Sequence, residues 1–338
     1  MKAYLNYISY YLPEKVITNQ NLADDFPRWS VEKITSKVGI KKRHVASEGE
    51  FSSDLGIKAS EKLFAEYDID RNSIDFILFC TQSPDYFLPT TACIIQNKLG
   101  LRTDIGALDF NLGCSGYVYG LSIAKGLILT GTAKNILLIT AETYSKFINN
   151  QDKGNKTIFG DAAVACLISC EKKGLGGKIL NFDLGTDGSG YDNLIVKGGG
   201  IRYKNIPKEM LKDTYGNERS NYNLYMNGPE IFNFTIERIP KMIENTLLKN
   251  NLTTEQINHF IFHQANQYML NHLRKKLKIT KDKFPIRMDF CGNTVSSTIP
   301  IVMKELEDET LIKKNDIALL AGFGVGYSWA GTIIKFEK

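Results

Sequence analysis

The sequence predicts a layered α/β fold with a mixed or mainly parallel sheet, assembled from two halves of similar element order. Three observations lead there. Short apolar runs of strand length alternate with segments of helical apolar spacing along most of the chain. Those runs are apolar at nearly every position, as in strands covered on both faces. After residue 225 the order of strands and helices resumes much as it began. No residue-level repeat accompanies this echo, so any duplication is one of topology.

In the first half, alternation over 3–9 predicts a strand closed by Leu12-Pro13. Ser30 is placed to cap a short helix that reaches Val38. A helix of about 53–67 groups Leu55, Ala59 and Leu63, and 74–80 is a strand buried on both faces. A helix over 90–99, a strand over 105–112, a helix over 116–129 and a strand over 135–140 follow. Strands at 162–170 and 178–184 are expected to pair as a hairpin around Lys172-Lys173-Gly174. Residues 187–225 turn polar and rich in Lys, Asn and Tyr, with no period, which reads as a functional loop or surface excursion. Beyond it come a helix at 229–249, a strand at 257–263 and a helix at 266–277. A strand near 286–288, a helix at 295–309 and strands at 316–321 and 327–336 complete the chain.

With 338 residues, 43% hydrophobic and 23% charged, the chain has the composition of a soluble globular protein with a substantial core. A net charge of +5 is too slight to suggest a nucleic-acid binder. The six cysteines show neither a CxxC pair nor Cys/His ligand spacing, so no structural metal is expected and reduced cytosolic thiols are. The N-terminus lacks a signal-peptide core. Its most apolar long stretch, 117–141, is broken by Lys125, Gly126, Gly131 and Lys134, so no membrane span is expected. The expected location is the cytoplasm.

Chemistry concentrates at a few points. Gly113-Cys114-Ser115-Gly116 ends an apolar strand and opens a helix, placing Cys114 at the bend. Unpaired N–H groups and the helix dipole there favour a thiolate and lower the pKa from about 8.5 towards 7. A buried cysteine that merely packs is the alternative. His263 leaves the apolar run Phe260-Ile261-Phe262 just before Gln264-Ala265-Asn266, where α/β folds gather functional groups. It could equally be a satisfied turn residue. Asn293, in Gly292-Asn293-Thr294, fits turn and capping chemistry as well as catalysis. Gly322-Phe323-Gly324-Val325-Gly326 lacks a P-loop lysine, and suits close approach of backbone N–H groups to an oxyanion, or simply a tight hairpin.

These segments, in this order, together with Gly39-Ile40-x-x-Arg43-His44 and Phe159-Gly160-Asp161, resemble the β-ketoacyl-acyl-carrier-protein synthase III family of the thiolase-like superfamily. The likeness runs from Leu12-Pro13-Glu14 to Trp329. It implies an α-β-α-β-α fold of two topologically similar halves with mixed five-stranded sheets, 1–172 carrying the cysteine and 173–338 the histidine and asparagine. It implies that Cys114 takes an acyl group from an acyl-CoA, by default acetyl-CoA, as a covalent thioester. Backbone N–H groups of Cys114 and Val325 would hold the oxyanion. His263 and Asn293 would stabilise the enolate formed as a malonyl-acyl carrier protein loses CO₂, and condensation would yield a 3-oxoacyl product for fatty-acid or specialised acyl-chain synthesis. No cofactor is implied.

By the same resemblance, Lys37, Lys153, Gly228, Phe232, Asn266 and Phe323 contact the substrate. Leu88 crosses a homodimer interface to the partner's acyl pocket, and Arg274, Lys275 and Lys276 greet the acidic carrier protein. Where relatives carry a tryptophan and an arginine around the adenine, Lys33 and Lys37 stand, which implies cation–phosphate attraction without a stacking clamp. Four alternatives are disfavoured. The hydroxymethylglutaryl-CoA synthase branch needs a glutamate about thirty residues before the cysteine, a region that holds Gln82 and whose nearest acids are Asp85 and Asp75. An acyltransferase serving alcohols or amines is disfavoured by the intact Asn293, and a non-catalytic partner subunit by the intact Cys-His-Asn set. A cysteine hydrolase lacks a group to orient His263 as a base.

Overall fold

The structure, a computed structural model, describes residues 1–214 and 216–337. Nine strands form one continuous ribbon of sheet, in the spatial order His259–Phe262, Ile317–Gly324, Ser328–Phe336, Gly177–Thr186, Tyr4–Tyr11, Ala162–Ser169, Asn135–Glu142, Phe76–Cys80, Gly106–Phe110. Both halves repeat one pattern. In the first, Phe76–Cys80 runs parallel to Asn135–Glu142, which is antiparallel to Ala162–Ser169, itself antiparallel to Tyr4–Tyr11. In the second, His259–Phe262 runs parallel to Ile317–Gly324, followed by antiparallel Ser328–Phe336 and Gly177–Thr186.

The ribbon folds into two packed halves because each face has its own helices to bury. One core cluster joins the helices Gly116–Leu129 and Thr298–Asp308 to both halves of the sheet, through Leu78, Ile136 and Val164 on one side and Ile261, Leu320 and Ile334 on the other. The helices Ser52–Glu66 and Thr91–Lys98 cover the outer face of the first half. Gly228–Lys249 and Gln267–Lys276 cover the second. Helix, sheet, paired helices, sheet, helix is the layering that near-continuous apolar strands require.

Two expectations about strands are corrected. Ala162–Ser169 and Gly177–Thr186 do not pair, because Tyr4–Tyr11 lies between them and bonds to both. Asn6 holds the intervening chain, accepting from the Lys173 N–H at its side chain and from the Leu175 N–H at its carbonyl. The segment near 286–288 is not a strand. The chain just before it meets the edge strand His259–Phe262 through a Phe260 N–H to Lys283 carbonyl bond of 2.8 Å, without forming a ladder. The excursion of 187–225 holds 3₁₀ turns and two-residue ladders, Leu211–Lys212 with Glu218–Arg219 and Leu194–Ile195 with Tyr225–Met226. The last of these returns the chain to the helix that opens at Gly228.

Candidate active site

Cys114 lies where the sequence placed it. The strand Gly106–Phe110 delivers the chain to a turn closed by a Gly116 N–H to Gly113 carbonyl bond of 2.8 Å, and the helix Gly116–Leu129 follows. The hairpin of the last two strands lies directly against this turn, and its glycines allow the approach. A Cβ on Gly324 would stand 2.9 Å from both Cβ and Sγ of Cys114, and one on Gly322 would stand 2.8 Å from the Cys114 carbonyl oxygen. Ser115 and Ser328 hydroxyls, 2.5 Å apart, tie the two segments. The backbone N–H groups of Cys114 and Val325 both bond towards the sulfur and favour its charged form.

Those donors do not prevail. Burial, and then the nearby Glu142 carboxyl, push the Cys114 thiol up to about 12. This corrects the expected thiolate. The helix terminus is present, but Cys114 is only 6% exposed, and desolvation of a charge outweighs a partial dipole.

His263 and Asn293, both buried, come from separate elements of the second half. The strand His259–Phe262 delivers His263, whose ring meets Phe323 edge-on at 5.8 Å. Burial lowers the imidazole to about 3, so it is neutral at physiological pH. Asn293 is held from both sides of its backbone, its N–H donating to the Ile158 carbonyl at 2.9 Å and its carbonyl accepting from Gly160 N–H at 3.0 Å. Its side-chain oxygen accepts from Val295 N–H at 3.0 Å and its NH₂ donates to the Ala265 carbonyl at 3.5 Å, which leaves the second N–H of the amide to donate. Val295 adopts φ of +55°, a left-handed conformation that costs a β-branched residue about 1–3 kcal/mol.

The turn that carries these groups is bolted to the first half. Ser296 Oγ donates to Glu142 at 3.1 Å, and Ser297 Oγ lies 2.9 Å from Thr140 Oγ1. Glu142 is fully buried and also accepts from the Gln82 N–H and the Ser83 hydroxyl. Desolvation nonetheless raises its carboxyl to about 8. This residue escaped the sequence reading, although an acid ending an otherwise apolar strand was a visible signal. Asp161 of the Phe-Gly-Asp motif is structural, accepting from the N–H groups of Ala46 and Ser145.

Cys114, His263, Asn293, Gly228, Asn266 and Phe323 line one narrow cavity of about 150 Å³. Asn266 caps the helix Gln267–Lys276 with its oxygen, leaving its NH₂ for the cavity. Through Ile158, Met226 and Gly228 the cavity continues into an open groove of about 770 Å³ that holds Trp29, Lys37 and Lys153. A larger cavity of about 910 Å³ within the excursion is lined by none of the three catalytic candidates.

The groove adds one aromatic surface beside the cationic pair that matching by position does not give. Trp29, just before the N-cap Ser30, lies under Lys37, Lys153 and Lys33, whose ammonium groups stand 5.2, 5.9 and 6.0 Å from its ring centroid. The aromatic surface is present, one helical turn earlier than the position matched. Phe232 is not a lining residue of the cavity; it packs against Tyr268 and His272 outside it. Arg274, half-buried, donates to the Ile279 carbonyl at 3.0 Å, while Lys275 and Lys276 are both exposed, Lys276 donating to the Ile236 carbonyl. Leu88, with Tyr86 and Phe87, projects from the surface, 82% exposed.

Known proteins share this sequence and architecture. Residues 108–188 match the family described as 3-oxoacyl-[acyl-carrier-protein] synthase III, and residues 247–336 match its C-terminal family. The β-ketoacyl-[acyl-carrier-protein] synthase III of Caldanaerobacter subterraneus subsp. tengcongensis is 37% identical over 331 residues, 97% of this chain and 96% of that protein. That of Sulfurimonas denitrificans is 34% identical over 98% of this chain and 97% of its own. A crystal structure of a 3-oxoacyl-(acyl-carrier-protein) synthase III superposes with a TM-score of 0.97 at 45% identity, covering 99% of this chain and all of that one. The corresponding enzyme of Burkholderia xenovorans gives 0.90 at 34%, covering 100% and 95%.

Proposed function

The chain belongs to the 3-oxoacyl-[acyl-carrier-protein] synthase III family, and from that premise we propose that Cys114, His263 and Asn293 perform its condensation. The protein is an acyltransferase of the β-ketoacyl-[acyl-carrier-protein] synthase III type, acting in fatty-acid synthesis. One observation carries the residue assignment: three side chains from three elements line a single narrow cavity, with two backbone N–H groups converging on the sulfur.

In the first half-reaction Sγ of Cys114 bonds to the thioester carbon of an acyl-CoA, acetyl-CoA by default. The carbonyl oxygen takes up the N–H groups of Cys114 and Val325 as it becomes an oxyanion. The carbon–sulfur bond to coenzyme A then breaks, and the thiol proton ends on the departing sulfur. The adenine and phosphates would rest in the outer groove, on Trp29 and beside Lys37 and Lys153, with the pantetheine arm passing Gly228 and Asn266. In the second half-reaction the malonyl thioester oxygen faces His263 and Asn293. Their N–H donors stabilise the enolate as the carbon–carboxylate bond breaks and CO₂ leaves. The enolate carbon attacks the acyl-cysteine, and Cys114 departs as thiolate and regains a proton from solvent.

These steps use no metal or redox cofactor. Residues 1–172 would supply the nucleophile and 173–338 the enolate-stabilising pair. The exposed Tyr86-Phe87-Leu88 loop and the half-buried edge strand Gly106–Phe110 support a homodimer in which Leu88 floors the partner's acyl pocket. The exposed Lys275 and Lys276 are the contacts for the acidic carrier protein. No helix among the described residues is long and apolar enough to cross a membrane.

The test is intact-mass measurement after mixing with acyl-CoAs, followed by CO₂ release from malonyl carrier protein. A mass gain that vanishes in Cys114→Ala supports the assignment. If no acyl-CoA labels the wild-type protein and no primer is condensed, the reading is wrong.

A further inference from the structure

His263 can act on a substrate only through the ring nitrogen that faces the cavity, and the opposite side of the ring decides what that nitrogen carries. Nδ1 lies 2.8 Å from Oγ1 of Thr298, the first residue of the helix Thr298–Asp308 and itself buried. Nε2 is therefore the cavity-side atom. A neutral imidazole holds one proton, so a donor at Nε2 requires an acceptor at Nδ1. Two groups of the Val295–Thr298 turn compete to set this. The Val295 carbonyl also bonds to the ring, and being able only to accept, it draws the proton onto Nδ1. The Thr298 hydroxyl can give its proton to Nδ1, or to the Val295 carbonyl 3.1 Å away.

We propose that Thr298 is a positioning residue that fixes His263 as its Nε2–H tautomer, by donating its hydroxyl proton to Nδ1. The shorter of its two contacts is the one to the imidazole, and a ring lone pair accepts better than an amide carbonyl. The same turn treats Asn293 alike. Val295 N–H occupies Oδ1 and leaves the NH₂ to donate. Both enolate-stabilising groups thus have their hydrogen-bond polarity set from one turn, which Ser296 and Ser297 fasten to the strand Asn135–Glu142. The inference rests on the enolate role proposed above for His263.

Protein labelled with ¹⁵N-histidine reports the tautomer directly, since a bare ring nitrogen resonates far from a protonated one; His263→Ala identifies the signal. The wild type and Thr298→Ser are expected to carry the proton on Nε2. In Thr298→Val only the Val295 carbonyl remains on that side, so the proton moves to Nδ1. Malonyl decarboxylation by the acylated enzyme then falls about a hundredfold, the cost of one lost oxyanion donor. Acylation of Cys114, which does not use this donor, stays close to wild type, and Thr298→Ser restores decarboxylation. A wild-type spectrum with bare Nε2 overturns the proposal, whatever the variants do. So does a Thr298→Val protein that retains Nε2–H and a wild-type rate. Because the tautomer is read without substrate, failure here is distinct from failure of the enzymatic reading, which would show as wild-type protein that neither acylates nor condenses.

Discussion

Gly324→Ala tests the oxyanion site at its tightest contact. The added methyl would lie 2.9 Å from both Cβ and Sγ of Cys114, where unstrained contacts are about 3.5–4.0 Å. The overlap is thus roughly 0.6–1 Å. Cys114 has little room to yield, because its turn is closed by the Gly116 to Gly113 bond and backed by the helix Gly116–Leu129. The Val325 loop must lift instead, and a bond of about 2.9 Å lengthened by that much is no longer a hydrogen bond. Losing one oxyanion donor slows the step by about 10²–10³, or roughly 3–4 kcal/mol. Overpacking should also destabilise the fold by about 1–3 kcal/mol, lowering Tm without unfolding it. The assay is rapid-quench, single-turnover acylation by acyl-CoA, with thermal unfolding measured in parallel. Gly126→Ala is the control: its Cβ meets nothing within 4 Å, and its acylation rate should not change. A folded Gly324→Ala protein acylated within about threefold of the wild-type rate would refute the assignment of Val325 N–H.

Three further outcomes follow from the same geometry. With the Cys114 thiol held near 12, alkylation by iodoacetamide should climb about tenfold per pH unit from 7 to 9, and a plateau near 7 would mean that the helix terminus wins after all. Glu142 keeps a proton in the folded protein up to about pH 8 that the unfolded chain loses near 4.5. Its contribution is complete below 4.5 and is lost as pH rises towards 8, so Tm should decline across that window and decline less in Glu142→Gln; identical slopes would show that the carboxyl titrates normally. Trp29→Ala should weaken half-maximal acylation by acyl-CoA about tenfold while leaving an acyl-pantetheine thioester unaffected, and equal loss with both would remove Trp29 from the nucleotide groove.

Much of the site was legible because its signals are local. A strand that ends in glycines before a helix announces a bend wherever it occurs, and Cys114 sits on one. His263 at a strand exit, Asn293 in a Gly-Asn turn and the closing glycine hairpin announce themselves in the same way. Trp29 was passed over because matching by position favoured Lys33, whereas one helical turn of displacement still puts a ring into the same groove. Phe232 and Arg274 show the limit of matching by position. They occupy matched positions, yet a neighbouring ring and the Ile279 carbonyl claim their side chains.

The sequence by itself determined the order of elements, the α/β class and the choice of the three candidate side chains, since each depends on spacing and turn chemistry within a few residues. Tertiary structure decided what those residues are. Only packing reveals that Tyr4–Tyr11 separates two strands adjacent in the chain, or that the sheet ends at His259–Phe262 with no strand near 286–288 beyond it. Only burial turns an expected thiolate into a thiol and holds His263 neutral, because desolvation depends on everything that surrounds a group. Glu142, Val295 and Thr298 gain their importance from contacts across the two halves or around one turn, which no local pattern encodes.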